Sequence, residues 1–513
     1  MMTRDAAGGG APAQRPIERL RGMDDLLPAT ARSARRALDA LSAVAESFGY
    51  QAVDAPIVEP TELFLRKSGE ALAPKLYAFT YLGRDICVRP EFTASVGRLF
   101  VERLQDAPAP QRLYYSGPVL RHEKPQRGRR RQFTQMGLEL IGAGGPLADA
   151  EIILAACAGL DALGLRDYRV TLGHLGAIAE MLTHLKLDRR ARNFLLTNLE
   201  NLSRPERGPA FVEARLTEQY PPRQDSAGLL SRLTSGAERD EARVVLQALL
   251  ERLDADTALG SRPADEIIES VLDHLSRPDQ HPLIRQALTL TEELAAQAGP
   301  PSRALPAAAA LLARESLSDE PLRELSRTVA LLREAGVPDE RLTVNLGFGR
   351  GLHYYTGMIF EVYPAGPEES EQPWCGGGRY DDLITAMGGR RRTPACGFAY
   401  NLGRLLDALP ANGPAPAAEI LLCATDAELH GGLLRLAAAL RRAGRRVETD
   451  VRGRTERANA QYAARCGIPF VVTVLAAERY QLRRREDGSS AELDEPALLR
   501  WAAGRREEGG TER

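Results

Sequence analysis

Paired cysteines are what this sequence most plainly lacks. Its six cysteines, Cys87, Cys157, Cys375, Cys396, Cys423 and Cys466, lie scattered, and no two form a CxxC pair. Neither a zinc site nor a disulfide framework is indicated, and no metal-ligating set is expected. No leader segment is visible, so reduced thiols in a cytoplasmic setting are the expectation. Nor does any apolar run approach the roughly 20 residues that span a bilayer, which gives no reason to expect a membrane partner. Net charge is nearly absent too. The 67 Lys and Arg against 69 Asp and Glu leave a formal charge of −2. Contact with a polyanion must therefore come from a local basic patch, not from the chain as a whole.

What is present is a chain of 513 residues, 44% hydrophobic and 27% charged, enough for two to four domains with large cores. Residues 1–15 are rich in Gly and Ala and are expected to be a disordered tail. The stripe Leu38, Leu41, Ala45 and Phe48 predicts a helix over 31–48, with Gly49 ending it and a strand over 50–56 following. Strands around a turn at Gly83 are expected within 74–100, and a helix over about 147–163. From about 175 to 335 the pattern is mostly helical, with acids and bases interspersed as on a solvated bundle. Strand patterns resume at 342–346 and 355–362. The run Asn412-Gly413-Pro414-Ala415-Pro416 reads as a linker. Beyond it, strand and helix patterns alternate as βαβαβ from 420 to 474, which implies a small α/β domain with a largely parallel sheet.

Residues 111–142 are the most informative: QRLYYSGPVLRHEKPQRGRRRQFTQMGLELIG. Two apolar, β-prone runs flank a loop with six basic residues, Arg121, Lys124, Arg127, Arg129, Arg130 and Arg131, and one acid, Glu123. Two strands joined by such a loop suit a nucleoside triphosphate or a nucleic-acid end. Side chains alternate faces along a strand, so Phe133, Gln135, Gly137 and Glu139 share one face and Met136, Leu138 and Leu140 the other. The second is a core face. A polar row opposite a core face is ordinarily a solvent face, but the adjoining basic loop points to ligand contacts.

This stretch resembles motif 2 of the class II aminoacyl-tRNA synthetases, specifically of the histidyl-tRNA synthetase family, which runs close to GPxFRxERPQxGRxRQFxQ followed by a glutamate. Here the match is Gly117-Pro118-Val119-Leu120-Arg121-His122-Glu123-Lys124-Pro125-Gln126, then Gly128-Arg129, Arg131-Gln132-Phe133-Thr134-Gln135 and Glu139. The resemblance implies that Arg121 holds the α-phosphate of ATP, Phe133 stacks on adenine and Glu123 binds its amino group. It implies that Lys124, Gln126 and Arg129 face the tRNA. Arg89-Pro90-Glu91-Phe92-Thr93 is similar to the family's RPEGT segment. Glu91 and Thr93 would then bind the amino group of histidine, a role that needs a carboxylate and a hydroxyl close together. Phe92 stands where glycine is usual and is expected to narrow the pocket.

Gly349-Arg350-Gly351-Leu352-His353-Tyr354-Tyr355 resembles the family's RGLDYY motif, with His353 in place of Asp. Arg350 would contact the α-phosphate and the substrate carboxylate. Tyr354 and Tyr355, with Gln135 and Glu139, would frame the imidazole, whose two distinct nitrogens call for distinct partners. Cys375-Gly376-Gly377-Gly378-Arg379-Tyr380-Asp381 is similar to the GGRYD segment, and residues 394–405 resemble motif 3. There Arg404 would lie against adenine and the γ-phosphate, while Gly403 stands where the family has an acid.

The resemblance implies an α+β fold with a class II antiparallel sheet core flanked by helices. The expected catalytic core is 16–176 with 340–411, interrupted by a helical insertion at 177–339. A linker at 412–417 leads to an anticodon-binding-like α/β domain at 418–513. The implied activity is that of a histidine–tRNA ligase, in which Arg121, Arg350 and Arg404 are catalytic. It uses ATP with Mg2+, takes histidine and tRNA(His), and works as a homodimer. The rival expectation is a non-catalytic, synthetase-like regulatory subunit of ATP phosphoribosyltransferase, which Phe92, Gly403, residues 171–176 and Tyr355-Thr356-Gly357 also resemble.

Overall fold

The computed structural model describes residues 16–122, 130–202, 208–219, 280–349, 354–366, 372–410 and 418–504, with a few isolated positions between 243 and 272. The chain divides into two units, the first Met1–Leu26 with Thr30–Leu409 and the second Leu27–Ala29 with Pro410–Arg513.

The first element is the predicted helix, at Pro28–Ser47, whose buried residues Ala34, Ala37, Leu41 and Ala45 recur every three or four positions. Gly49, at a φ of 80°, ends it where an L side chain would be strained. The strand expected at 50–56 shrinks to β1 (Gln51–Ala52), because only these residues pair, in parallel, with the chain that follows. A small antiparallel sheet comes next, β2 (Val58–Pro60), β3 (Tyr77–Tyr81) and β4 (Arg84–Val88), in the order β2-β4-β3. The β3–β4 turn sits at Gly83, as expected.

The alternating run then folds as two ten-residue strands, β5 (Gln111–Leu120) and β6 (Gln132–Ile141), paired antiparallel. They anchor an eight-stranded sheet completed by β7 (Tyr168–His174), β8 (Leu342–Val344), β9 (Met358–Pro364), β10 (Cys375–Arg379) and β11 (Ala395–Asn401). The order is β1-β5-β6-β11-β10-β9-β7-β8, parallel only at its two edges. The strand expected at 355–362 thus begins three residues later.

Both faces of this sheet are covered. On one, Met136, Leu138 and Leu140 pack with Ile152, Ile153 and Leu160 of the helix Gly145–Ala162 and with Leu41 of the first helix. Each such aliphatic side chain contributes roughly 1.5–3 kcal/mol when fully buried. Six further helices, from Leu175–His184 to Glu320–Glu334, fill the described part of 175–334. Their buried residues, among them Ile178, Leu288 and Val329, join the same core. On the opposite face Leu113, Tyr115, Val119, Phe92, Tyr354 and Tyr380 form a second cluster. The polar row of β6 lies on this side. It is therefore a buried face, with Glu139 only 1% exposed.

The second unit holds β12 (Ile420–Ala424), β13 (Val447–Thr449), β14 (Phe470–Ala476), β15 (Arg479–Arg484) and β16 (Ser490–Leu493), in the order β13-β12-β14-β15-β16. The first three strands of that order are parallel, with helices His430–Arg442 and Glu456–Arg465 as crossovers. Sequence reading stopped at 474 and missed the antiparallel β15 and β16 and the final helix Glu495–Gly504, whose charged, half-exposed residues mask the alternation.

Candidate active site

A cavity opens on the second face of the main sheet. Its floor is a row of small residues, Gly376, Gly397 and Ala399, from β10 and β11. Gly376 pairs with Ala399 in the register, so no large side chain separates a ligand from the backbone there. Gly397 also has a packing reason to lack a side chain: a Cβ there would overlap Oε2 of Glu139.

The cavity is lined in part by acidic and hydroxylic groups. Glu91, Thr93 and Gln135 line it, with Tyr354 and Tyr355. Glu91 is buried. Its Oε1 accepts the Ala94 N–H at 3.0 Å, and its Oε2 has no hydrogen-bond partner among the described residues. Burial pushes this carboxyl above the usual range. The Gln135 amide oxygen is likewise buried without such a partner. Two such acceptors around one cavity, one of them on a carboxyl, suit a donor-rich cation such as an ammonium.

Glu139 lies behind these residues and is not among the lining residues. Its Oε1 accepts from the Thr93 hydroxyl at 2.7 Å and the Tyr115 hydroxyl at 3.0 Å, and its Oε2 accepts from Tyr380. Burial pushes it up to about 8, against the pull of these three hydroxyls. Through Thr93, it orients a hydroxyl that does line the cavity.

The lining is cationic as well: Arg121, Arg130 and Arg404 contribute to it together with Phe133, Trp374 and Asn401, and the Arg121 charge acts on the Glu91 carboxyl. Arg121 donates from Nε to the Pro90 carbonyl at 2.8 Å, and its guanidinium carbon stands 5.5 Å from the Phe133 ring centre. Arg404 sits in the first turn of the helix Leu402–Ala408. The Asn401 side chain caps that helix by accepting the Arg404 N–H at 3.3 Å. The Arg404 guanidinium donates to the Pro373 carbonyl at 2.6 Å and to Gln372 Oε1 at 2.9 Å. An array of guanidiniums beside an aromatic face suits an anionic, aromatic ligand such as a nucleotide.

The family profile described as histidyl-tRNA synthetase matches residues 22–277 and 244–405. The histidine–tRNA ligase of Methanocaldococcus jannaschii is 32% identical over 463 residues, covering 89% of this chain and 92% of the relative. That of Archaeoglobus fulgidus is 31% identical over 457 residues, covering 89% and 91%.

The chain belongs to the histidyl-tRNA synthetase family.

Its fold is also that of apo S. aureus histidyl-tRNA synthetase (TM-score 0.63, 21% identity, covering 95% of this chain and 100% of the other). A Bacillus halodurans protein described as an ATP phosphoribosyltransferase regulatory subunit/histidyl-tRNA synthetase shares it as well (TM-score 0.58, 23% identity, covering 90% and 100%). The fold alone is thus common to both of the readings that the sequence raised.

Measured against the residues singled out from this family, Glu91, Thr93, Arg121, Phe133, Gln135, Tyr354, Tyr355 and Arg404 meet around one cavity. Glu139 stands one layer behind. Glu123, Lys124, Gln126, Arg129, Arg350 and His353 lie outside the described residues. Phe92 does not narrow the pocket. It is fully buried and not among the lining residues, stacks on Tyr115 at 4.3 Å, and carries the Arg89 guanidinium 3.7 Å above its ring. That guanidinium is in turn held by the Ala55 and Pro118 carbonyls. The GGRYD resemblance proves structural in part: Arg379 is buried and pairs with Asp149 at 2.6 Å and Asp381 at 3.0 Å. Sequence reasoning missed Tyr115 and Tyr380 as the partners of Glu139, and Asn401 as the cap beneath Arg404. Tyr115 was legible in principle, since it shares a strand face with Leu113 and Gly117.

Proposed function

We propose that this chain activates histidine with ATP and transfers the histidyl group to tRNA(His). The observation that carries the reading is the meeting of both kinds of charge around one cavity. Acceptors on Glu91 and Gln135 without hydrogen-bond partners share its lining with Arg121, Arg130 and Arg404. An amino acid and a nucleotide can be held in line there, ammonium and phosphates each against its opposite charge.

In this reading the ammonium of histidine binds Glu91 Oε2 and the Thr93 hydroxyl. Gln135, Tyr354 and Tyr355 surround the imidazole, with Glu139 behind Thr93. The substrate carboxylate attacks the α-phosphorus of ATP, a carboxylate–phosphate bond forms, and the bond to pyrophosphate breaks. The 3′-terminal ribose of tRNA then attacks the acyl carbon, and AMP leaves. No protein nucleophile takes part. Arg121, Arg404 and, from its sequence motif, Arg350 stabilise charge on the phosphates as it develops. Phe133 stacks on adenine and Glu123 binds its amino group. Mg2+ arrives with the phosphates as part of the substrate.

Lys124, Gln126 and Arg129 are proposed tRNA contacts. The catalytic core is assigned to 16–176 with 340–411, the helical insertion to 177–339, and tRNA anticodon binding to 418–513. A cytoplasmic homodimer is the proposed working form.

Histidine-dependent exchange between ATP and pyrophosphate tests the reading. Robust exchange, lost in Arg350→Ala, supports adenylation, and charging of tRNA(His) completes the case. Histidine binding without any exchange would refute it in favour of the regulatory subunit.

A further inference from the structure

Gly403 is the departure from the family pattern that the sequence alone leaves unexplained. It opens the helix Leu402–Ala408 one position before Arg404. Its α-carbon faces Arg130: a Cβ built there would collide with Arg130 Nη1, while the next nearest atom, Asn401 Oδ1, stands at an easier 3.3 Å. The missing side chain is the space that the guanidinium occupies.

Two acids hold that guanidinium in place. Arg130 Nε donates to Asp24 Oδ2 at 2.9 Å, and Nη2 donates to Asp407 Oδ1 at 3.2 Å. Asp407 lies one helical turn beyond Gly403, on the same side of the helix. Asp24 belongs to the amino-terminal segment, which also grips the neighbouring residue: the Arg131 N–H donates to the Gly22 carbonyl at 2.8 Å. Arg130 is therefore tied from two directions. Nη1, the nitrogen that abuts Gly403, belongs to a side chain lining the cavity beside Arg121 and Arg404. Exposed arginines gain little from a single surface pair. Two acids converging on one guanidinium fix its position.

We propose that Gly403 is kept without a side chain in order to seat Arg130, and that Arg130, clamped by Asp24 and Asp407, is a fourth arginine that contacts the phosphates of the bound nucleotide. This rests on the proposed function, since it takes ATP to be the ligand of the arginine-lined cavity. It adds a residue to that site and gives a physical reason for glycine at 403.

The test is a double-mutant cycle on the full-length protein, read as KM for ATP and KM for histidine in the exchange assay. Arg130→Ala raises KM for ATP roughly tenfold to a hundredfold, the range of one charge-assisted hydrogen bond, and leaves KM for histidine unchanged. Gly403→Ala acts in the same direction, because only the tip of a flexible side chain must yield and the fold survives. Arg130→Lys, which keeps the charge without the fork, recovers part of the loss. The decisive outcome is non-additivity: in Arg130→Ala the further change Gly403→Ala adds nothing, since its target is gone. Additive effects, or an unchanged KM for ATP in Arg130→Ala, would overturn the inference while the exchange activity of the unmodified protein upholds the proposed function. Absence of exchange in the unmodified protein would overturn both.

Discussion

Glu91→Gln is the most discriminating single change at the amino-acid end of the cavity. It is isosteric and keeps an oxygen to accept the Ala94 N–H. It removes only the charge that awaits the ammonium on Oε2. Neutralising one partner of a buried ion pair costs about 3–5 kcal/mol, much of it from the other charge left unpaired. At about 1.4 kcal/mol per decade this is a fall of roughly 10²- to 10⁴-fold in kcat/KM for histidine. The free protein behaves in the opposite way. Its buried carboxyl has an unpaired oxygen, and an amide at that site carries no charge to desolvate, so the variant without ligand melts at the same temperature or higher. The assay is initial-rate exchange at varied histidine, with thermal melts in the presence and absence of histidine. Loss of activity with unimpaired stability separates a binding role from a folding role. Retention of kcat/KM within about threefold, with the histidine-induced rise in melting temperature intact, would refute the assignment.

Three further predictions follow from the same geometry. Glu139, held up to about 8 by burial, keeps a proton in the native state that its unfolded form gives up near 4.5. The native state therefore binds more protons across that window, and stability falls as pH rises through it, by up to about 1.4 kcal/mol per pH unit. Chemical denaturation at pH 6 and pH 9 gives a smaller difference in Glu139→Gln than in the unmodified protein; equal differences would count against the buried acid. Gly397→Ala forces a methyl group onto Glu139 Oε2. Overpacking of about 1–3 kcal/mol should appear in denaturation midpoints together with loss of histidine-dependent exchange, and a neutral outcome would mean the floor is not close-packed. Asp149→Ala strips one acid from the buried Arg379, which keeps Asp381. We expect a loss of about 3 kcal/mol in urea unfolding, at or below the lower end for a broken buried pair.

The sheet and the site were legible to different depths. Alternation in 111–141 announced the paired strands β5 and β6, and the helical stripe of 31–48 announced the first helix, because both signals come from residues that meet the core directly. The hairpin of β15 and β16 escaped because its arginines and glutamates crowd around Tyr480, Leu482 and Leu493, the few apolar residues that pack on the core, and so mask the alternation. In the site, Glu91, Arg121 and Arg404 were expected from the resemblance to the family's motifs, and all three line the cavity. The position of Glu139 behind the cavity was not, because a strand's alternation fixes the face of a side chain and not its depth. The consequence of Phe92 was misread for the same kind of reason: a residue next to a binding glutamate was expected to face the ligand, yet its ring turns into the second core, onto Tyr115. Arg130 and Gly403 are 273 positions apart in sequence, and only the fold reveals that one fills the space the other leaves.

The arginine array bears directly on the choice between enzyme and regulator. Guanidiniums gathered around one cavity repel one another, and the chain restrains them with fixed acceptors: Pro90 for Arg121, Asp24 and Asp407 for Arg130, Pro373 and Gln372 for Arg404. A pocket that only senses a free amino acid has a single carboxylate to neutralise, and one arginine suffices for that. Three restrained guanidiniums beside an aromatic ring match a ligand with several negative charges and a flat base. The discriminating measurement is therefore the linkage between ligands: in the enzyme reading, ATP and histidine occupy adjoining ends of one cavity and react, so pyrophosphate release requires both. In the regulator reading histidine binding is indifferent to ATP, and mutation of Arg121 or Arg404 leaves histidine affinity unchanged without exposing any ATP-dependent activity.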